Sequence, residues 1–333
     1  MLNVRDQVTQ RIIEALEAGT PPWRKGWDAM EAHFNASTGK PYQGINQILL
    51  GMSGFSDPRW LTMKQANAMK SDEHPDGLRV KKGEKATMIV RMVEVARGSK
   101  DDAADVDVVA EDQKTRLVMK AFWAFNGSQI EGMQPLPSRQ REMPPIEAVE
   151  QVIDGLKADG LSVLHGGDRA SYVPKLDTIK MPEKGAFHSP EDYHATLLHE
   201  AAHATGAKKR LDRFGLFGNL SNADAYAREE LRAELASAML GAELGIPQGQ
   251  YHIDNHAAYL ASWLQALKND KNEIFKAASA AQKISDWLRS HAIRPEVNSN
   301  EEMKTSAKAM DVGEAVNEES IRQNRGSRMG RRM

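Results

Sequence analysis

The sequence predicts an α+β protein, with a mixed α/β domain first and a helix-rich domain second. Three observations carry this. Strand-like runs at 87–92 and 117–126 fall in the first part of the chain. Prolines 135, 137, 144 and 145 then punctuate a charged stretch, which marks a linker. Beyond 146, apolar residues recur mostly at helical spacing. These place the domains at 1–140 and 141–295, with a tail at 296–333.

The first domain opens with an amphipathic helix carrying Val8, Ile12, Ile13 and Leu16. Trp23, Arg24, Lys25 and Trp27 follow, then Tyr42 and Asn46, the Trp60 to Lys64 segment, and Lys81, Lys82 and Lys85 ahead of the first strong strand. Four of the six tryptophans lie before residue 124. Rings among cations suit single-stranded nucleic acid, because bases stack on the rings while the cations follow phosphates. The same composition also describes core tryptophans beside an ordinary charged surface. Residues 97–116 turn acidic, as in an exposed hairpin or insertion, and 117–126 is rich in β-branched and aromatic residues, as a strand requires.

The second domain begins with a helix over 146–159 and a strand at 161–164. Extended edge strands are expected over 170–181. Next comes Leu197-Leu198-His199-Glu200-Ala201-Ala202-His203. In a helix, residues four apart share a face, so both histidines can hold one Zn²⁺ with Glu200 placed as general base. Pro190 can open this helix and Gly206 can stop it. Helix, sheet and metal helix in that order fit a zincin-like α+β fold.

A third ligand is expected from a second helix, about twenty to thirty residues on. Glu229 and Glu230 lie 26 and 27 residues beyond His203. Glu229 shares a face with the small Ala233 and Ala236, which favours it slightly. Glu230 shares a face with Glu234, a candidate outer partner for a ligating histidine. Both alternatives stay open. Helices over 253–264 and 272–291 close the domain. His194 is off the face of His199 and reads as structural or outer-shell. His252 and His256 bear on the site only if their helix folds over the cleft.

Composition narrows the classes. With no cysteine, a metal must use histidine and carboxylate, which admit Zn²⁺ or Mn²⁺. No charged-then-apolar leader is visible and no run approaches 18 apolar residues, so a cytoplasmic, membrane-free protein is expected. The formal net charge of −2 does not by itself point to nucleic acid. The tail is poor in aliphatics and carries Arg322, Arg325, Arg328, Arg331 and Arg332, the composition of a disordered basic segment.

Taken together, Pro22-Trp23 through Gly44-Ile45-Asn46, Trp60-Leu61-Thr62, Lys81-Lys82-Gly83-Glu84, Tyr172, Met181-Pro182, the H-E-x-x-H-x-x-Gly run, Arg210-Leu211-Asp212-Arg213 and Tyr226 to Glu230 resemble the ArdC-type antirestriction family over about residues 5–292. The resemblance implies an N-terminal domain that binds single-stranded DNA and a zincin-like metallopeptidase domain, in a protein that protects incoming conjugative plasmid DNA from host restriction. It implies His199, His203 and Glu229 or Glu230 as metal ligands and Glu200 as catalytic base; Tyr226, one turn before the acidic pair, reads as a packed helix tyrosine, with an oxyanion donor as the alternative. A host restriction enzyme or repair protein is the alternative partner, as a peptidase substrate. For DNA it points to Trp23, Arg24, Lys25, Trp27, Tyr42, Asn46, Lys64, Lys81, Lys82 and Lys85, contacting phosphates and base faces without base readout.

Overall fold

The computed structural model describes residues 3–19, 21, 23, 32–96, 115–136, 144–216, 223–246 and 250–292. The acidic 97–114 segment, Arg24, Lys25, Trp27 and the basic tail lie outside these residues.

Helix α1 (Val4–Glu17) starts where the Asn3 side chain accepts from the Asp6 amide, and it buries Val8, Ile12, Ile13 and Leu16 as its periodicity predicts. Strands β1 (Phe34–Asn35), β2 (Arg59–Leu61), β4 (Thr87–Ala96) and β5 (Thr115–Asn126) form a sheet in the order β1-β2-β5-β4, with β1 and β2 parallel and the other pairings antiparallel. Strands β3 (Arg79–Val80) and β6 (Ile130–Glu131) form a separate ribbon. Helices α2 (Ile45–Gly51) and α3 (Met63–Ala68) accompany these sheets.

Asn46 belongs to this framework. Its side chain takes the Val90 amide on Oδ1 and donates Nδ2 to the Val90 carbonyl, both at 2.8 Å. It thus fastens α2 to β4, contrary to its expected place on a DNA surface. Gly127 closes the end of β5, and a Cβ there would lie 2.5 Å from the Asp57 carboxylate.

In the second half, α4 (Pro145–Ala158) precedes β7 (Ser162–His165), β8 (Ser171–Val173) and β9 (Thr178–Met181). The sheet order is β7-β9-β8, with β7 parallel and β8 antiparallel to β9. Only part of the 170–181 expectation therefore holds, because β9 is the central strand and β8 an edge. Helices α5 (Pro190–Ala204), α6 (Arg213–Leu216), α7 (Ala223–Leu244), α8 (Gln250–Asn269) and α9 (Glu273–Ser290) follow. Helix α7 packs against α5, α8 and α9. Its mid-section is buried on every side, which explains the weak apolar periodicity there. Gly155 lets α4 meet the end of α9: a Cβ would fall 1.8 Å from the His291 carbonyl oxygen.

One apolar core runs from α1, Trp23, α2 and the β4–β5 pair into α4, α5, α7, α8 and α9. The 135–145 stretch therefore joins two halves that share a core. No helix among the described residues is long and apolar enough to cross a membrane.

Asp177 ties the sheet to the loop after α5. It adopts a left-handed φ of 46°. Arg210 donates to both its oxygens at 2.7 and 3.0 Å, Tyr172 donates at 2.8 Å, and Lys209 lies at 2.9 Å. Burial alone would raise the carboxyl, but these donors hold it well below the usual range. A depressed carboxylate stabilises the fold above its unfolded pKa, and that stability is lost as pH falls. Asp177→Asn keeps a residue that tolerates the left-handed conformation. Between about pH 5 and about pH 2 the variant should lose less stability than the parent, measured by denaturant titration at each pH.

Candidate metal centre

Helix α5 supplies the first three residues of the centre. Its start follows from sequence: Ser189 caps the helix through the Asp192 amide, Pro190 occupies the first turn, and Glu191 and Asp192 complement the dipole. Helical spacing then stacks His199 and His203 on one face, with their rings 4.8 Å apart. Helix α7 lies against that face and contributes Glu229, Glu230 and Glu234.

His199, His203 and Glu230 come together as a group whose candidate donor atoms all lie within 4.8 Å of one another. The two Nε2 atoms are 3.1 Å apart. His199 Nε2 is 3.5 Å from Glu230 Oε2, and His203 Nε2 is 3.4 Å from Oε1. Ligand atoms about 2.0–2.1 Å from one ion in tetrahedral geometry stand about 3.3 Å from each other. The spacing and chemistry of this donor set therefore fit a divalent cation.

Charge points the same way. Glu200, Glu229, Glu230 and Glu234 are all buried around the two imidazoles, and burying carboxylates without positive charge is costly. Burial lowers the pKa of both imidazoles, but neighbouring carboxylates outweigh it. His199 is pushed well above its usual value by Glu230 and Glu234, and His203 rises to about 9 under Glu230 and Glu229. Burial raises Glu200, against the pull of both histidines. Burial also works to raise Glu230, but the two imidazoles hold it well below the normal carboxylate range.

Glu229, the residue favoured by its small neighbours, points elsewhere. Arg213 donates to its two oxygens at 2.7 and 3.3 Å, and also to Thr205 Oγ1 at 2.6 Å and the Ala202 carbonyl at 2.8 Å. Glu229 Oε1 still lies 3.6 Å from His203 Nδ1, on the far side of that ring from Glu230. Glu234 Oε2 stands likewise 3.6 Å from His199 Nδ1. Each histidine thus has Glu230 on one nitrogen and a backing carboxylate on the other. The loop that delivers Arg213 turns back on itself through Leu211 N to Thr205 O and Asp212 N to Ala207 O, with Asp212 at a φ of 47°.

The rim holds Tyr226, 41% exposed, whose hydroxyl is 3.2 Å from that of Tyr259. Burial and the Glu230 charge push both phenols upward, so both remain protonated donors. His194 is turned away, bridging the Pro190 carbonyl and Glu150, as a structural residue does. The side chains of His252 and His256 lie outside the described residues.

The other expected site residues separate. Trp23 is fully buried against Trp263, with ring centroids 5.7 Å apart, and cannot serve as a stacking platform. Tyr42 is half-buried, with its hydroxyl accepting from Asn35 at 3.3 Å. Lys64, Lys81, Lys82 and Lys85 are exposed; Lys81 Nζ donates to the Ser128 carbonyl at 2.7 Å. Two features escaped the reading of the sequence. Trp123 is 56% exposed and Phe122 37% exposed on β5, and Arg91 on β4 stands directly opposite Lys120.

Residues 147–280 match a family model described as a zincin-like metallopeptidase, and residues 2–125 match the N-terminal domain of the anti-restriction factor ArdC. The metal-free crystal structure of the antirestriction ArdC protein from plasmid R388 is 35% identical, covers 87% of this chain and 98% of its own, and superposes with a TM-score of 0.67. The chain belongs to the ArdC antirestriction family. The Mn(II)-bound form of the same R388 ArdC gives a TM-score of 0.68 at the same identity. The uncharacterised protein y4eC of Sinorhizobium fredii is 36% identical over 90% of this chain and 95% of its own length. A DNA primase TraC of Escherichia coli is 41% identical over 85% of this chain. The chain spans only 27% of that relative and 19% of a second TraC.

Removing Arg213 should leave Glu229 buried without its partner. Arg213→Ala is expected to cost about 3–5 kcal/mol in chemical denaturation, and adding Glu229→Gln should recover part of that loss.

Proposed function

We propose that this ArdC-family chain is a cytoplasmic antirestriction protein that binds single-stranded DNA without sequence readout and carries a metal-dependent peptidase centre. The observation that carries the peptidase part is the His199, His203 and Glu230 group, with Glu200 buried beside it. A divalent ion held there, Zn²⁺ or the Mn²⁺ found in R388 ArdC, would supply Lewis-acid chemistry toward a peptide carbonyl and water. Glu200 is the proton acceptor, its basicity raised by burial. Tyr226, a neutral hydroxyl at the open rim, donates to the carbonyl oxygen as charge develops. Among the described residues β8 is an edge strand of its sheet and packs against α5, a position from which it can align an extended peptide by strand addition.

For DNA, the burial of Trp23 and the engagement of Asn46 move the surface to the β4–β5 pair and the lysines beside it. Phe122 and Lys120 share one face of β5, because side chains alternate along a strand. Arg91 lies across from Lys120, which places two cations on the face that carries Phe122. Trp123 offers an exposed ring on the other face. With Lys64, Lys81, Lys82 and Lys85, these residues supply stacking and phosphate neutralisation. Protection of incoming conjugative DNA then follows from coating the strand.

A second reading rests on the same intact Glu200: the DNA surface delivers a working peptidase to a host restriction or repair protein. Glu200→Ala separates the two. Under the coating reading it retains ssDNA binding and protection of transferred plasmid while peptidase activity is lost; loss of protection would favour the second. On labelled oligonucleotides of unrelated sequence, Lys81→Ala with Lys82→Ala should weaken binding alike and reduce the salt slope by about 1.4. Trp123→Ala should lower affinity by about 1–3 kcal/mol. A sequence-selective loss would count against the non-specific mode.

A further inference from the structure

Trp23 lies between the N-terminal segment and the metal centre, and its role follows from its neighbours. It is fully buried, and Pro21, two residues before it, is buried too. Its Nε1 donates to Glu234 Oε1 at 3.3 Å, across 211 residues of sequence. The other oxygen of that carboxylate is the one 3.6 Å from His199 Nδ1. On its far side, His199 presents Nε2 to His203 and Glu230. A second path leaves the same ring. Trp23 packs on Trp263, which stacks on Tyr259 at 6.1 Å and 19°, and Tyr259 meets the Tyr226 hydroxyl at the rim.

Glu234 is 1% exposed, so water cannot replace a lost donor to Oε1. With the indole N–H in place, that oxygen is fixed and Oε2 is aimed at His199. A carboxylate facing Nδ1 favours the tautomer with its proton on Nδ1, which leaves the Nε2 lone pair for a cation. Without the N–H that oxygen loses a donor, and the carboxylate facing Nδ1 at 3.6 Å is held less firmly.

We propose that Trp23 is a positioning residue of the metal centre, acting through Glu234 on His199. The centre is thereby completed by the N-terminal part of the chain. This rests on His199, His203 and Glu230 holding a divalent ion.

The test uses the full-length protein and a chromophoric chelator competing for Zn²⁺, so the readout is affinity rather than activity. Trp23→Phe removes the N–H and should weaken Zn²⁺ binding by about 10–100-fold, the usual range for an outer-shell partner. Ile12→Val, a core change in α1, controls for general loosening and should leave affinity within about 3-fold. Glu234→Gln should weaken binding comparably. The double variant should add little to either single change, because both break one path. Should Trp23→Phe fail to fold, benzothienylalanine at position 23 replaces the N–H by sulfur in a ring of nearly the same shape, and the same loss is expected. Parental affinity in the N–H-deleted protein, or fully additive losses in the double variant, would overturn the proposal. Absence of Zn²⁺ binding by the parent would instead overturn the metal-centre reading and this proposal with it. Single-stranded DNA affinity should be unchanged throughout.

Discussion

Four carboxylates buried between α5 and α7 impose the constraint around which the second half of the protein is arranged. A buried carboxylate needs a hydrogen-bond donor or a positive charge, and each of these has been given one. Arg213, carried back by a tight loop, neutralises Glu229. The indole of Trp23 serves Glu234. Glu230 stands between two imidazoles, and Glu200 faces the same pair. The loop after α5, the N-terminal segment and the fully buried middle of α7 are all consequences of keeping this charge inside.

The electrostatics also sort residues that look alike. Glu229 and Glu230 are neighbours on one helix, yet a guanidinium holds one as a support while the other faces both histidines. Burial raises the basicity of Glu200 as the same burial sharpens the need for a cation next to it. A carboxylate of raised basicity and a carboxylate held between two imidazoles are thus maintained by one low-dielectric pocket.

What could be read from sequence was what depends on local spacing. The helical period placed His199 and His203 together, Pro190 marked where α5 begins, and β-branched and aromatic runs found β4 and β5. The choice between Glu229 and Glu230 was not local, since Arg213 decides it from 16 residues away. Trp23 sits in a cation-rich stretch whose composition is the same for a surface ring or a core ring. Its partner Glu234 is remote, so its burial left no nearby signal. Trp123 lies in a strong strand pattern, which does not say which face of the strand is left exposed. Residues 170–181 were recognised as extended, but pairing order, which put β9 in the centre, is a property of the whole sheet.

The reach from Trp23 to Glu234 bears on how the protein is made. The indole emerges early in synthesis and the carboxylate more than two hundred residues later, so closing their contact is a late, entropically expensive loop closure. Between those moments the tryptophan has no finished pocket, and an apolar ring beside cations is left to the nascent chain. Completion of the candidate metal centre is then a report on the whole chain. A product truncated before α7, or one that has lost its first two dozen residues, would keep recognisable pieces of either half and the complete centre in neither.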